Sequence, residues 1–140
     1  MGGVLIDTDV LIRAYRSDVK DPRTAKAKDA VEDLARRGNG YVAAQNLEEF
    51  AALLLKRALP AVEASRVRDA LSGLEDVFGV LHAGARTISS ALHGVEKHRL
   101  AFWDSMIWAV AHENGIEEVL TAEPPAHPQI EGVRYRNPFD

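Results

Sequence analysis

Four acids stand where this chain of 140 residues could do metal or acid/base chemistry: Asp7, Glu49, Asp104 and Glu123. Asp7 follows the apolar run Val4, Leu5 and Ile6, and Glu123 comes just after the run ending VLT, so each lies at the carboxyl end of an expected strand. In open α/β sheets, ligands collect in the crevice beyond those ends, where the strand order reverses. Glu49 lies in the first turns of a helix containing QNLEEF, where Leu47, Phe50 and Leu54 mark the buried side. It borders that stripe, whereas Glu48 points about 100° away. Asp104 opens an unusually hydrophobic helix, between Trp103 and the run Met106 to Val110. Buried unpaired it would cost several kcal/mol, so it needs capping contacts, a partner or a cation. Each acid also has a plainer reading. Asp7 and Asp104 suit helix caps, Glu49 complements a helix dipole, and Glu123 is an ordinary loop acid. Taken together, the four describe a crevice lined with carboxylates and no sulfur. Such oxygen ligands suit hard cations, Mg²⁺ or Mn²⁺, which relieve the mutual repulsion that otherwise raises carboxylate pKa values.

Other chemistries find less support. The chain has no cysteine, which excludes disulfides and thiolate metal sites and fits a reducing compartment. None of the five histidines forms an HExxH arrangement. His93 and His98 are five apart and do not share a helical face, so they are expected as separate surface or structural imidazoles. Ser89, Ser90 and Ser105 lack a nucleophile elbow, and no glycine-rich phosphate loop is present. Phe102, Trp103 and Trp108 are expected as core or lip residues rather than stacking platforms. A net charge of -4 gives no general attraction for nucleic acid, so a polyanionic substrate needs local basic patches or bound cations. Arg13, Arg16 and Lys20 near the first strand, and Lys97 and Arg99 before Asp104, are the candidates. No apolar run is long enough to span a membrane and the amino terminus lacks signal-peptide features, so a cytoplasmic protein is expected.

The elements that must position these residues alternate. Val4 to Ile6 predicts a buried strand, and Thr8 to Ile12 a short helix. SDVKDP is a polar turn, with Pro22 opening a helix that runs to Arg37 and ends at Gly38. Tyr41 to Ala44 is a second strand, and Asn46 can cap a helix reaching Pro60. Residues 61–76 continue as helix, and Val77 to His82 is a third strand weakened by Gly79. A helix from about Ala85 to Lys97, mildly interrupted by Gly94, precedes the Asp104 helix, which ends at Gly115. Glu118 to Thr121 is the fourth strand and Val133 to Arg136 a short edge strand. This order implies one α/β domain over residues 1–140: a mostly parallel, twisted sheet of four to five strands with helices on both faces.

The residues VLIDTDVLI, QNLEEF, LAFWDSMIWAVA, VLTAE and GVRYRNPF, in that order and spacing, resemble the PIN domain family, in particular the VapC ribonuclease toxins of toxin–antitoxin pairs. The resemblance covers almost the whole chain. It implies that Asp7, Glu49 and Asp104 are metal-binding carboxylates supported by Thr8, and that Asp9, often Asn in relatives, braces the turn. Relatives commonly carry Asp at the place of Glu123, and the following Pro124 and Pro125 alter the loop. The implied activity is Mg²⁺- or Mn²⁺-dependent cleavage of RNA, with Arg13, Lys97 and Arg99 guiding the backbone. A homodimer and a small antitoxin partner are implied as well. Two alternatives remain: a PIN-like module without activity, and a haloacid dehalogenase-like phosphatase in which Asp7 of DTDVL is the nucleophile and Asp9 the acid/base.

Overall fold

The computed structural model describes residues 2–16, 20–56, 58 and 60–140. In chain order the elements are β1 (Gly3–Ile6), α1 (Thr8–Tyr15), α2 (Pro22–Arg37), β2 (Gly40–Ala43), α3 (Ala44–Lys56), α4 (Ala64–Val77), β3 (Gly79–Leu81), α5 (Ala85–His98), α6 (Phe102–Glu113), β4 (Ile116–Leu120), β5 (Gln129–Ile130) and β6 (Val133–Arg136). One sheet carries all six strands in the order β3-β2-β1-β4-β6-β5, parallel except for β5 against β6. The chain winds outward from β1 through β2 to β3, then returns across the sheet to β4 on the other side of β1. The strand order therefore reverses between β1 and β4, and the crevice lies at their carboxyl ends.

Alternation along the strands divides the apolar side chains between two cores. Leu5 and Ala43 face a core shared with Met106, Ile107, Trp108 and Val110 of α6. Val4, Ile6 and Val42 face the opposite side, against Val10, Leu11, Ala27, Leu34, Phe50, Leu54 and Val67 from α1 to α4. The three-layer expectation is met, with six strands instead of four to five. Val133–Arg136 is not the edge, because the two residues of β5 pair beyond it. No helix among the described residues is long and apolar enough to cross a membrane.

Local chemistry sets most element ends. Asp21 accepts from the Arg23 N–H at 2.8 Å, Pro22 opens α2, and Gly38 closes it with φ 72. Three expectations shift. The stretch 61–76 is helical only from Ala64, and Val77 ends α4 with Phe78 as its extended cap, leaving three residues for β3. Residues 17–19 of the polar turn, and 57 and 59 near the end of the helix before Pro60, lie outside the described residues. Gly94 is no mild interruption: a Cβ there would meet Ser105 Oγ at 2.3 Å and the Trp108 ring at 3.0 Å. Its hydrogen is what lets α5 lie against α6.

Candidate functional site

Asp7 is both helix cap and crevice residue. Its backbone N–H donates to the Leu120 carbonyl at 2.9 Å, which extends the pairing of β1 with β4. The side chain caps α1, Oδ1 accepting from the Thr8 N–H at 2.9 Å and from Asn46 Nδ2 at 3.1 Å. Oδ2 accepts from Thr121 Oγ1 at 2.9 Å. Donors from α1, α3 and the end of β4 thus orient one carboxylate. Burial pushes the Asp7 pKa up, its hydrogen bonds pull it down, and the charge of Asp104 pushes it up again, the net shift being upward.

Asn46 was expected to cap α3, but it lies one turn inside. From the third helical position its Oδ1 reaches back to accept from the Ala43 N–H at 3.0 Å, while its Nδ2 also donates to Thr8 Oγ1 at 3.1 Å. It is fully buried. The same first turns deliver Glu49, whose Oε1 accepts from Gln45 Nε2 at 3.3 Å and from Thr8 Oγ1 at 3.5 Å. Gln45 also donates to the Trp103 carbonyl at 3.3 Å, tying α3 to the start of α6. Partial burial first, and then the charges of Asp7 and Asp104, raise the Glu49 pKa against the bond from Gln45. Glu48 lines a different cleft, beside His82 and Trp103.

Asp104 is no cap. Ala101 holds that position, and Asp104 sits exposed in the first turn of α6 with no side-chain hydrogen bond among the described residues. It lines a narrow cleft of about 60 Å³ together with Asp7, Thr121, Glu123 and Tyr135. Glu123 is exposed, its N–H donating to Thr121 Oγ1 at 3.2 Å. Burial and the two acids Asp104 and Asp7 hold the Tyr135 phenol above its ordinary range, so it stays protonated.

Asp9 points back into the protein. Its Oδ2 accepts from the Ala122 N–H at 3.0 Å and from Thr121 Oγ1 at 3.4 Å, which fastens α1 to the loop after β4. Its Oδ1 is buried without a hydrogen-bond partner among the described residues. Burial, followed by the Asp7 charge, pushes its pKa up to about 6. Asp9 thus ties α1 to the loop after β4 and also borders the hollow lined by Arg13 and Arg16.

The acids share one electrostatic neighbourhood without touching. Among the described residues, the one set of three metal-ligating side chains whose donor atoms all lie within 4.8 Å of one another is His93, His98 and Glu131. Asp7, Glu49 and Asp104 are spread more widely than that. The expectation that the two histidines stand apart is therefore corrected, because helical spacing ignores the turn that brings Glu131 between them. Of the expected cations, Lys97 and Arg99 line a groove of about 690 Å³ with Asp104. Arg13 lies over the Phe139 ring, 5.6 Å from its centroid, and with Arg16 lines a separate hollow bordered by Asp9. Lys20 is exposed. Trp108 is buried, whereas Trp103 is 65% exposed at the lip. Thr121, Gln45 and Tyr135 were not anticipated and Asn46 only as a helix cap, and the only sequence hint was their adjacency to the acids or to strand ends.

These features define a doubly wound α/β domain with an acidic crevice at its topological switch point. The family model for the PIN domain matches residues 4–124, and the chain belongs to that family. Solved structures with the same fold include a toxin–antitoxin complex from Klebsiella pneumoniae (21% identity, TM-score 0.71, covering 97% of this chain and 98% of that one). DNA-bound VapBC from Salmonella typhimurium is similar at 15% identity and TM-score 0.69, with 99% of each chain covered. The sarcin–ricin-loop-cleaving toxin VapC20 from Mycobacterium tuberculosis shares 20% identity over 84% of this chain and 87% of its own, with TM-score 0.62. Curated protein sequences yield no match.

Proposed function

We propose that this chain is a divalent-metal-dependent endoribonuclease, acting from a single PIN-like domain over residues 1–140 as the toxin of a VapBC-type pair. The observation that carries the reading is Asp7: a carboxylate held on both oxygens at the switch point, with its pKa raised by burial and by Asp104. The donor set fits Mg²⁺ or Mn²⁺. It consists of carboxylate oxygens only, and burial first, then the neighbouring acids, raise the pKa values of Asp7 and Glu49, a repulsion that a bound cation would relieve.

Asp7, Glu49 and Asp104 would hold the ion, with Glu123 at the rim as a fourth acid. Their spread means that at least one of them reaches it through water or after a side-chain rotation, which suits a cation that keeps several waters. When bound, such an ion supplies charge neutralisation and polarisation of a phosphodiester. Thr8, Asn46 and Thr121 keep Asp7 oriented, and Lys97 and Arg99 border the groove along which an RNA backbone would lie. Arg13 is a more remote contact for the same backbone. A cognate antitoxin, a homodimer and a cytoplasmic setting complete the proposal; the likeness to toxin–antitoxin complexes supports the antitoxin.

One feature favours the alternative of a PIN-like binding module without activity: Glu123 stands where relatives commonly carry Asp. A cleavage assay separates the two. With Mn²⁺ and a single-stranded RNA, Asp7→Asn is expected to cut at least a hundredfold more slowly than the parent chain. Equal rates, or no cleavage by either, would remove the nuclease reading.

A further inference from the structure

His93 and His98 of α5 converge on the turn between β5 and β6, where Glu131 Oε2 lies 2.9 Å from His93 Nε2 and 2.5 Å from His98 Nε2. We propose that His93, His98 and Glu131 form a second metal site, selective for a borderline transition-metal ion such as Zn²⁺ and distinct from the all-carboxylate crevice. Two imidazoles and a carboxylate are the three-ligand set that Zn²⁺ accepts with one position left open. Imidazole nitrogen favours Zn²⁺, Ni²⁺ or Co²⁺ over the hard Mg²⁺ that suits the crevice.

The surroundings hold these groups in place. Trp108, 1% exposed, forms the floor, its ring centroid 6.2 Å from that of His93 and 5.9 Å from that of His98. Its indole N–H donates to the Ile130 carbonyl at 3.2 Å and so pins the residue preceding Glu131. Glu131 and Gly132 have φ 46 and 88, the positive values that a two-residue hairpin turn of the primed type needs. Asn, Asp or Gly serves such a turn more cheaply than Glu. The turn therefore does not account for the choice of residue, while the carboxylate between two imidazoles does.

Conversion from the hydrogen-bonded cluster to a metal site is small in geometry. Ligands about 2.0–2.2 Å from a tetrahedral ion are about 3.3 Å apart, so the two contacts open by less than an ångström. Glu131 already presents Oε2 to both Nε2 atoms, so the three donors converge without any change of rotamer. Metal binding through Nε2 leaves each imidazole with its one proton on Nδ1, and any further proton is released to solvent. Glu131 and both rings are open to solvent on one side, which leaves an entry path. Lys97 lies near enough to lower the Glu131 pKa, and its charge works against an incoming cation. The bound ion would staple the β5–β6 hairpin to α5, along the wall where His98 lines the same groove as Lys97, Arg99 and Asp104.

The test is titration of untagged, metal-free protein with Co²⁺, followed by competition with Zn²⁺ and with excess Mg²⁺. The visible bands of a low-coordinate Co²⁺ site should appear with one equivalent, be displaced by Zn²⁺ and persist in Mg²⁺. Glu131→Gln and His98→Gln should each weaken binding at least tenfold, whereas the double variant Asp7→Asn, Asp104→Asn should bind as the parent does. A thermal melt of each metal-free variant checks that it is folded, and Zn²⁺ should raise the melting temperature of the parent but not of Glu131→Gln. Absence of the bands in the parent, their survival in both ligand variants, or their loss in the Asp7 and Asp104 double variant would overturn the proposal.

Discussion

Both oxygens of Asp7 are taken by donors from three different elements, and the bond from Thr121 is the one that reaches across from β4. A hydroxyl donating to a carboxylate favours its charged form, so removing it raises a pKa that burial has already raised. Thr121→Val is accordingly expected to lower RNA cleavage about tenfold, the scale of one lost hydrogen bond to a charged group. The acidic limb of the rate profile should move to higher pH, and Thr121→Ser should restore both; kcat/KM measured across pH in saturating Mn²⁺ checks this. At this scale the sequence was informative about acids and nearly silent about their partners. Asp7, Glu49 and Asp104 stand out by their place in the apolar pattern. The pattern marks Asn46 only as a helix cap, and not as a partner of Asp7, 39 residues away, to which it donates at 3.1 Å.

Between elements, two contacts should dominate the response to substitution. Gly94→Ala replaces a poor helix former, which alone would add about 1 kcal/mol of stability. The new methyl, however, would meet Ser105 Oγ, itself held 2.6 Å from the Ala91 carbonyl, and the Trp108 ring. Overpacking costs of about 1–3 kcal/mol are usual for such a change. The net effect expected in urea denaturation is destabilisation, and a gain in stability would contradict the close packing of α5 on α6. Glu118, 7% exposed on β4, accepts from Arg134 at 2.7 Å and Arg136 at 3.0 Å on β6. Glu118→Gln removes the charge that both arginines share and should cost about 2 kcal/mol in the same measurement. Helix ends with Pro22 or Gly38 were legible, because φ preference is local. The β5–β6 pair was not, since two residues of strand leave no periodicity to read.

For the molecule as a whole, the concentration of buried acid sets the pH response. Asp9 titrates at about 6 when folded against an ordinary 3.8, so the native state holds its proton more tightly than the unfolded chain does. Asp7 and Glu49 are shifted in the same direction. The contribution of Asp9 to the stability of the metal-free protein is therefore greatest at low pH and falls as pH rises from about 4 to about 6, and those of Asp7 and Glu49 have the same sign. Glu131, lowered to about 2, acts in the opposite direction only at more acid values. Thermal melts in chelator should thus show a higher melting temperature at pH 5 than at pH 7, with the difference reduced in Asp9→Asn. Mg²⁺ or Mn²⁺ should recover much of the loss at pH 7. By itself the sequence determined the alternation of strand and helix, the layers that cover the sheet and the acids that face its edge, because hydrophobic period and local φ preference are written residue by residue. Only the tertiary structure decided that six strands form the sheet, that Thr121 and Asn46 hold Asp7, and that two histidines and Glu131 meet, because those contacts depend on which remote segments the sheet order makes neighbours.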